Sequence, residues 1–261
     1  AGFMAIEYEL DPEDDLTGQL SESYRRQYEY RAVIQRCVNE GSVCSKRNYS
    51  GGIAGRMDLG LITESENYGA AESESGSYVG GITGVTAATV RSCFSKCTLS
   101  GKRNVGGITG AGVAESVNGS GSTVAGCYAL VEIAPGAEYA GAISGTNTGS
   151  FLENRFVSDT LAGINRQSYA GAAEPIAYED LLQVETLPEA MQRFTLRFVV
   201  DDETVSATTF SYGDSFDASA YPELPEKDGC SAAWDHEALQ NLHFDTTVTA
   251  VYTPYIPCLA S

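Results

Sequence analysis

Apolar residues in the first two thirds of the chain occur in short runs that are rich in β-branched side chains and bounded by glycine or serine. The most regular run is GGIAG at 51–55, which returns as GGITG at 80–84 and 106–110 and as GAISG at 141–145. Its isoleucines are separated by 29, 26 and 35 residues: Ile53, Ile82, Ile108 and Ile143. Self-similarity at such a period is typical of stacked repeats. The pattern predicts that these isoleucines form one buried column, with their flanking glycines at corners.

A second motif precedes each glycine-rich segment. It has the form apolar-x-x-Cys/Asn-x-x and begins at Ile34, Ile62, Val90, Val124 and Phe151. We expect the copy at Ile62 to need one or two extra residues to fit. Runs this short, rich in Ile, Val and Thr, favour strands over helices. They predict an all-β protein with a parallel β-solenoid of about five rungs over residues 31–175, closed by a decayed corner at 169–172.

The flanking segments carry different patterns. At residues 1–30, Ile6, Tyr8 and Leu10 alternate with acidic residues, which is typical of a half-buried strand and predicts an N-terminal cap or the end of a preceding domain. Residues 176–191 lack the glycine pattern and read as a linker able to hold a short helix. Beyond it, alternating runs at 194–200 and 204–210 predict a hairpin, and 246–252 predicts a further strand. Residues 192–261 are therefore expected to form a small, separate β domain.

Composition narrows the classes of partner. The chain has 261 residues, of which 35 are acidic and 16 basic, giving a formal net charge of −19. Nucleic acids require clustered Lys and Arg, so this charge argues against them as partners and disfavours anionic lipid. No stretch of about 18 apolar residues occurs, so no membrane insertion is expected. The chain opens Ala1-Gly2-Phe3 without an apolar signal region, as an excised or mature piece would.

The repeated G-G-I-[TA]-G segment, together with Cys37-Val38-Asn39-Glu40-Gly41 upstream, resembles the GLUG-type repeats of large bacterial surface proteins, over residues 34–173. The fourth corner departs from that pattern at Ala142. The C-terminal part is similar to the Listeria–Bacteroides (internalin B-type) repeat, a β-grasp-like module; the matching residues are Phe198-Val199-Val200, Tyr212-Gly213, Pro225 to Gly229, Trp234 and Thr246 to Tyr252. Both resemblances imply an extracellular, cell-surface bacterial protein. Neither implies catalytic residues.

The chain contains seven cysteines. Cys37, Cys93 and Cys127 occupy one column of the repeat and are predicted to be buried thiols. A disulfide between neighbouring rungs and a metal site remain as alternatives, although Cys93-x-x-x-Cys97 has no histidine nearby. Cys230 and Cys258 form a second candidate pair, in the small domain.

Catalytic signatures are sparse. The two histidines, His236 and His243, both lie in the C-terminal part and are expected at turns or on the surface. The strongest acidic candidate is a run around one corner, accompanied by basic residues on the next rungs: Glu64, Glu66, Glu72 and Glu74, with Arg91, Lys96, Lys102 and Arg103. Paired carboxylates can hydrolyse glycosides, but this run also reads as a solvated loop.

We therefore expect no enzyme and no catalytic, cofactor or metal site. The sequence favours a stiff spacer or adhesive module of a bacterial surface protein, with surface glycans or proteins as partners. The loop at 111–122 and the fifteen tyrosines are the expected contact features, although Tyr24, Tyr28 and Tyr30 could simply cover the cap. The alternatives are a carbohydrate-processing β-helix (a lyase or glycosidase) and the targeting region of a larger surface peptidase.

Overall fold

The computed structural model of this chain describes residues 3–4, 32–114, 121–168 and 170–255. The chain divides into two compact units, residues 1–187 and 188–261. Strands dominate the described part of both units. The first unit is a stack of parallel sheets, and the second is a small domain of mixed sheets. The predicted all-β fold, with a solenoid followed by a small β domain, is confirmed.

Each full rung of the solenoid contributes strands to four parallel sheets. Sheet 1 has five strands, one per rung: β2 (Val33–Gln35), β7 (Leu61–Thr63), β12 (Thr89–Arg91), β16 (Thr123–Ala125) and β19 (Ser150–Leu152). Sheet 2 has eight strands: β3 (Val38–Asn39), β4 (Val43–Ser45), β8 (Glu66–Asn67), β9 (Ala71–Ser73), β13 (Phe94–Ser100), β17 (Tyr128–Ile133), β20 (Asn154–Val157) and β21 (Ala173–Pro175).

The other two sheets complete the rung. Sheet 3 contains β5 (Ser50–Gly51), β10 (Ser77–Gly80), β14 (Arg103–Gly106) and β18 (Ala140–Gly141). Sheet 4 contains β1 (Phe3–Met4), β6 (Ala54–Met57), β11 (Thr83–Thr86) and β15 (Thr109–Gly112). Strand β1 lies in the described N-terminal residues and pairs in parallel with β6, opposite Arg56 and Met57. The rest of the expected N-terminal cap, including the Ile6–Leu10 pattern, lies outside the described residues.

Both predicted columns are present. Ile34 pairs with Ile62, Ile62 with Val90, Val90 with Val124, and Val124 with Phe151. The copy at Ile62 fits with no extra residue, so the expected insertion there is wrong. In the isoleucine column each backbone N–H donates to the carbonyl of the next isoleucine, from Ile53 through Ile82 and Ile108 to Ile143, and all four side chains are buried. These columns form the core of the solenoid.

The repeated glycines lie at a corner of the rung, as predicted. Gly52 falls between β5 and β6, and Gly81 falls between β10 and β11, so the GGI-type segments connect sheets 3 and 4. None of the glycines in these segments has a positive φ. They lie where rungs approach closely: a Cβ added at Gly107 would be 1.9 Å from the carbonyl oxygen of Ala142, and one at Gly81 would be 2.1 Å from that of Gly107.

The left-handed corner between sheets 1 and 2 is a separate column: Arg36, Glu64, Ser92, Gly126 and Glu153. Only one of its five members is glycine. The absence of a side chain in the GGI-type segments therefore serves close packing rather than a positive φ.

The last copy of the isoleucine segment lies earlier than predicted. Ile143 donates its backbone N–H to Gly163, and Ser144 forms a parallel bridge with Ile164, so residues 162–164 occupy the fifth position of this column. Of the segment 169–172, Tyr169 is outside the described residues, and Ala172 accepts a hydrogen bond from Asn154 and leads into β21. The prediction that 169–172 is the closing corner is therefore wrong, because residues 162–164 occupy that position. A short helix, α1 (Tyr178–Leu181), and a 3₁₀ turn (Glu189–Met191) follow.

The second unit contains a four-stranded sheet. Its strands are β22 (Phe194–Val200), β23 (Glu203–Phe210), β25 (Cys230–Trp234) and β27 (Thr246–Pro254), in the order β23-β22-β27-β25. The predicted hairpin is β22 and β23, and the predicted last strand is β27, which lies parallel to β22 at the centre as in a β-grasp sheet. A separate two-stranded ladder joins β24 (Asp214–Asp217) to β26 (Ala238–Leu242). A 3₁₀ turn at Ala218–Ala220 directly follows β24.

Candidate functional site

The register of sheet 2 builds a stacked aromatic pair in the solenoid. Phe94 follows the buried Cys93 and Tyr128 follows the buried Cys127, and the two aromatic residues are direct partners in the parallel ladder. Phe94 is itself buried, whereas Tyr128 is partly exposed. Their rings stack with centroids 5.4 Å apart and planes 12° apart. Glu66 occupies the same position one rung earlier.

These residues line a depression of about 510 Å³, called the sheet 2 groove below. Its walls are Phe94, Tyr128, Glu64, Glu66, Ser92 and Gly126, together with Thr186 from the segment after the last rung. Glu64, Ser92 and Gly126 are the left-handed corner residues of successive rungs, so the groove follows the corner between sheets 1 and 2. The solenoid therefore presents an aromatic surface beside two carboxylates.

Both carboxylates of the groove have partners. The Arg36 guanidinium donates from Nε to Oε2 of Glu64 at 2.7 Å, and Gln35 donates to the same oxygen at 3.4 Å. The hydrogen bond from Arg36 lowers the pKa of Glu64 below its ordinary value. Tyr68 donates its hydroxyl to Oε2 of Glu66 at 2.7 Å, and burial together with this carboxylate raises the pKa of Tyr68. The groove thus offers carboxylate oxygens as hydrogen-bond acceptors, and the lowered pKa of Glu64 favours its ionised form.

The remaining acidic and basic candidates do not line this groove, although the charge of Arg91 also contributes to the lowered pKa of Glu64. Glu72 and Glu74 are exposed, as are Arg91 and Lys102. Arg103 forms an ion pair with Glu138 at 2.8 Å, whereas Lys96 is buried within β13. Of the four glutamates in the predicted run, the structure brings together Glu64 and Glu66.

The cysteine column is buried except at its first member. Cys93 and Cys127 are completely buried, and their thiols face the carbonyl oxygens of Arg91 and Ala125. Cys37 is exposed, so the prediction of burial is wrong there. It lies on the first described rung, which has a neighbouring rung on one side only among the described residues. Burial raises the pKa of Cys127, and it raises that of Cys97 to about 11. Each cysteine in the described part of the chain is a free thiol; Cys258 lies outside it.

The histidines lie in the second unit, at exposed or partly exposed positions. His236 Nδ1 is 2.8 Å from Oδ1 of Asp235, and the His243 ring stacks on Tyr212 with centroids 4.1 Å apart. Within the described residues, no group of three or more His, Cys, Asp or Glu side chains could hold a metal ion. The ranges that the structure describes also contain no helix with the length and apolar character needed to cross a membrane.

Sequence reasoning missed the aromatic pair, although a signal for it was present. Aligning the cysteine column places Phe94 and Tyr128 at the same repeat position, immediately after Cys93 and Cys127. The expected contact loop at 111–122 is described only at its ends, because residues 115–120 lie outside the described part. Comparison with protein-family models, curated proteins and solved structures finds no match for this chain.

Proposed function

We propose that this chain is a non-enzymatic segment of an extracellular bacterial surface protein, in which the solenoid is a stiff support that binds surface glycans along the sheet 2 groove. The resemblance of the GGI-type segments to GLUG-type repeats supports the bacterial surface location. The single observation that carries the binding role is the stacked Phe94–Tyr128 pair beside Glu64 and Glu66.

The chemistry of the groove suits a sugar chain. A pyranose ring has an apolar C–H face that packs on an aromatic ring, while its hydroxyls donate to carboxylate oxygens. Tyr128 supplies the ring at the groove surface, since its ladder neighbour Phe94 is buried. Glu66 supplies an acceptor on the rung beyond Phe94, two rungs from Tyr128. Rungs spaced about 4.8 Å apart place this ring and this acceptor in one row along the stack, which suits an extended sugar chain.

Because Glu64 and Glu66 lie together in the groove, a carbohydrate-processing enzyme is the alternative function. A glycosidase needs one carboxylic acid whose pKa is raised, so that it can protonate the leaving oxygen. The pKa of Glu64 is instead lowered by Arg36, and its side chain is about half exposed. This arrangement favours binding over proton transfer.

An array of bacterial and host glycans and proteins, probed with this chain, tests the proposal. Binding to glycans should weaken at least tenfold in Tyr128→Ala, and less in Glu66→Gln, which keeps the shape of the side chain. Tyr255→Ala is the matched control, because Tyr255 is exposed and lies in the other unit. Binding that is retained in Tyr128→Ala, or binding to proteins alone, would refute the glycan groove. Hydrolysis lost in Glu64→Gln or Glu66→Gln would establish the enzyme instead.

A further inference from the structure

The geometry points to a second ligand site, on the corner between sheets 3 and 4, that binds one neutral pyranose residue. A pocket of about 300 Å³ lies there, called the Tyr78 pocket below, and its walls include Tyr78, Asn104, Thr146, Arg56 and Ala111. It shares no residue with the sheet 2 groove. This inference goes beyond the proposed groove and does not depend on it.

The pocket lies at an interruption in a tyrosine column. The ladder of sheet 3 aligns Tyr49, Tyr78, Asn104 and Tyr139 at the same position of successive rungs. Tyr49 and Tyr78 stack with ring centroids 5.4 Å apart. The third rung carries the smaller Asn104, so the Tyr78 ring face opposite Tyr49 has no tyrosine above it. An aromatic face is therefore available to a ligand at the depth of the third rung.

The backbone at these positions is strained. Tyr49 and Tyr78 have φ of 72° and 68°, in the left-handed region that bulky side chains rarely adopt. Each such residue costs on the order of 1 kcal/mol, and glycine or asparagine would relieve the cost. Asn104, with φ of 55°, shows that this position of the sheet 3 column accepts an asparagine. Two tyrosines that remain at strained positions and line one pocket indicate that their rings serve a purpose other than folding.

One buried polar group in the same pocket lacks a partner. The Thr146 hydroxyl is buried and has no hydrogen-bond partner among the described residues. Buried polar groups are almost always satisfied by protein, water or ligand, and an unsatisfied one costs on the order of 1–3 kcal/mol. Asn104 is 92% buried and also lines the pocket. A ligand with hydroxyl groups would hydrogen-bond to both side chains.

Charge and shape select the class of ligand. Arg56 forms an ion pair with Asp58 at 2.7 Å, so the described walls of the pocket present no uncompensated cation to attract an anion. A flat aromatic ligand would stack on Tyr78 but leave the Thr146 hydroxyl unsatisfied. A neutral hexopyranose offers a C–H face to Tyr78 and hydroxyls to the amide and the hydroxyl. The pocket volume is at the lower end of the range for small-molecule sites, which suits a single sugar residue.

Saturation-transfer NMR with methyl glycosides of glucose, galactose and mannose, and with methyl glucuronide, tests this inference. At least one neutral glycoside should show saturation transfer to its ring protons. Its affinity should fall about threefold to tenfold in Asn104→Gly, which keeps the left-handed backbone, and in Thr146→Val, which keeps the shape. Because the Thr146 hydroxyl has no partner to lose, Thr146→Val should keep the melting temperature of the parent protein.

Two controls separate this site from the groove. Glu153→Gly makes the same kind of change at an exposed left-handed residue, and should leave glycoside affinity unchanged. Tyr128→Ala should also leave it unchanged, so that failure of one site is distinguishable from failure of the other. Lack of saturation transfer to every neutral glycoside, preference for the glucuronide, or equal affinity in Asn104→Gly and Thr146→Val would each overturn the inference.

Discussion

Burial sets the chemistry of individual thiols in the solenoid. Cys97 lies inside β13, where its thiol contacts the Ser95 hydroxyl at 3.3 Å, and burial raises its pKa to about 11. An unfolded cysteine has a pKa of about 8.5. Since the pKa is higher in the folded state, this thiol stabilises the fold fully below about pH 8.5, and the contribution is lost as the pH rises toward about 11.

Cys97→Ala measures that contribution. The variant should have a lower free energy of unfolding than the parent at pH 7, and the difference should shrink between about pH 9 and about pH 11. Denaturant titration under reducing conditions at several pH values gives both free energies. Cys44→Ala is the control, because Cys44 is exposed. A difference that is constant with pH would mean that the Cys97 thiolate is tolerated in the folded core.

At the scale of the rung, the GGI-type segment depends on the absence of a side chain. In Gly107→Ala the new Cβ would meet the backbone carbonyl of Ala142 at 1.9 Å, and backbone of the next rung cannot move aside without disturbing the stack. We expect a loss of about 3 kcal/mol in the free energy of unfolding. Gly41→Ala should change it by less than about 0.5 kcal/mol, because the nearest atom there is 3.9 Å away. Equal melting temperatures for the two variants would refute close packing as the role of Gly107.

The same elements show what the sequence could and could not predict. The period located the isoleucine column and the column from Ile34 to Phe151, because a buried ladder imposes the same residue type at each rung. It also located the GGI-type corner between sheets 3 and 4. It could not locate the corner between sheets 1 and 2, since that left-handed position accepts Arg36, Glu64 and Ser92 as well as Gly126. A column of such varied residues has no compositional signal. The sequence did not predict the sheet 2 groove for a related reason. Phe94 and Tyr128 are adjacent only through the register of the strands, and Thr186, which lines the groove, lies outside the repeat.

Across the whole solenoid, the protection of backbone amides from hydrogen exchange should vary from rung to rung. In a stacked repeat each rung is stabilised mainly by its two neighbours, so a rung with one neighbour opens more easily. The first described rung shows this in its burial: Cys37 and Val38 are exposed, whereas Cys93 and Cys127 of the third and fourth rungs are fully buried.

Hydrogen exchange followed by mass spectrometry tests this gradient. Backbone amides in peptides covering residues 33–45 should exchange much faster than those in peptides covering 79–86 and 94–106, whose strands have partners on both sides. The comparison is internal to one sample, because these segments all belong to the same stack. Destabilising the centre with Ile108→Ala, expected to cost about 2–5 kcal/mol, should raise exchange in the central peptides toward that of 33–45. Slow exchange throughout 33–45 in the parent protein would contradict an open first rung, and would instead support the N-terminal cap that the alternation at Ile6, Tyr8 and Leu10 predicts.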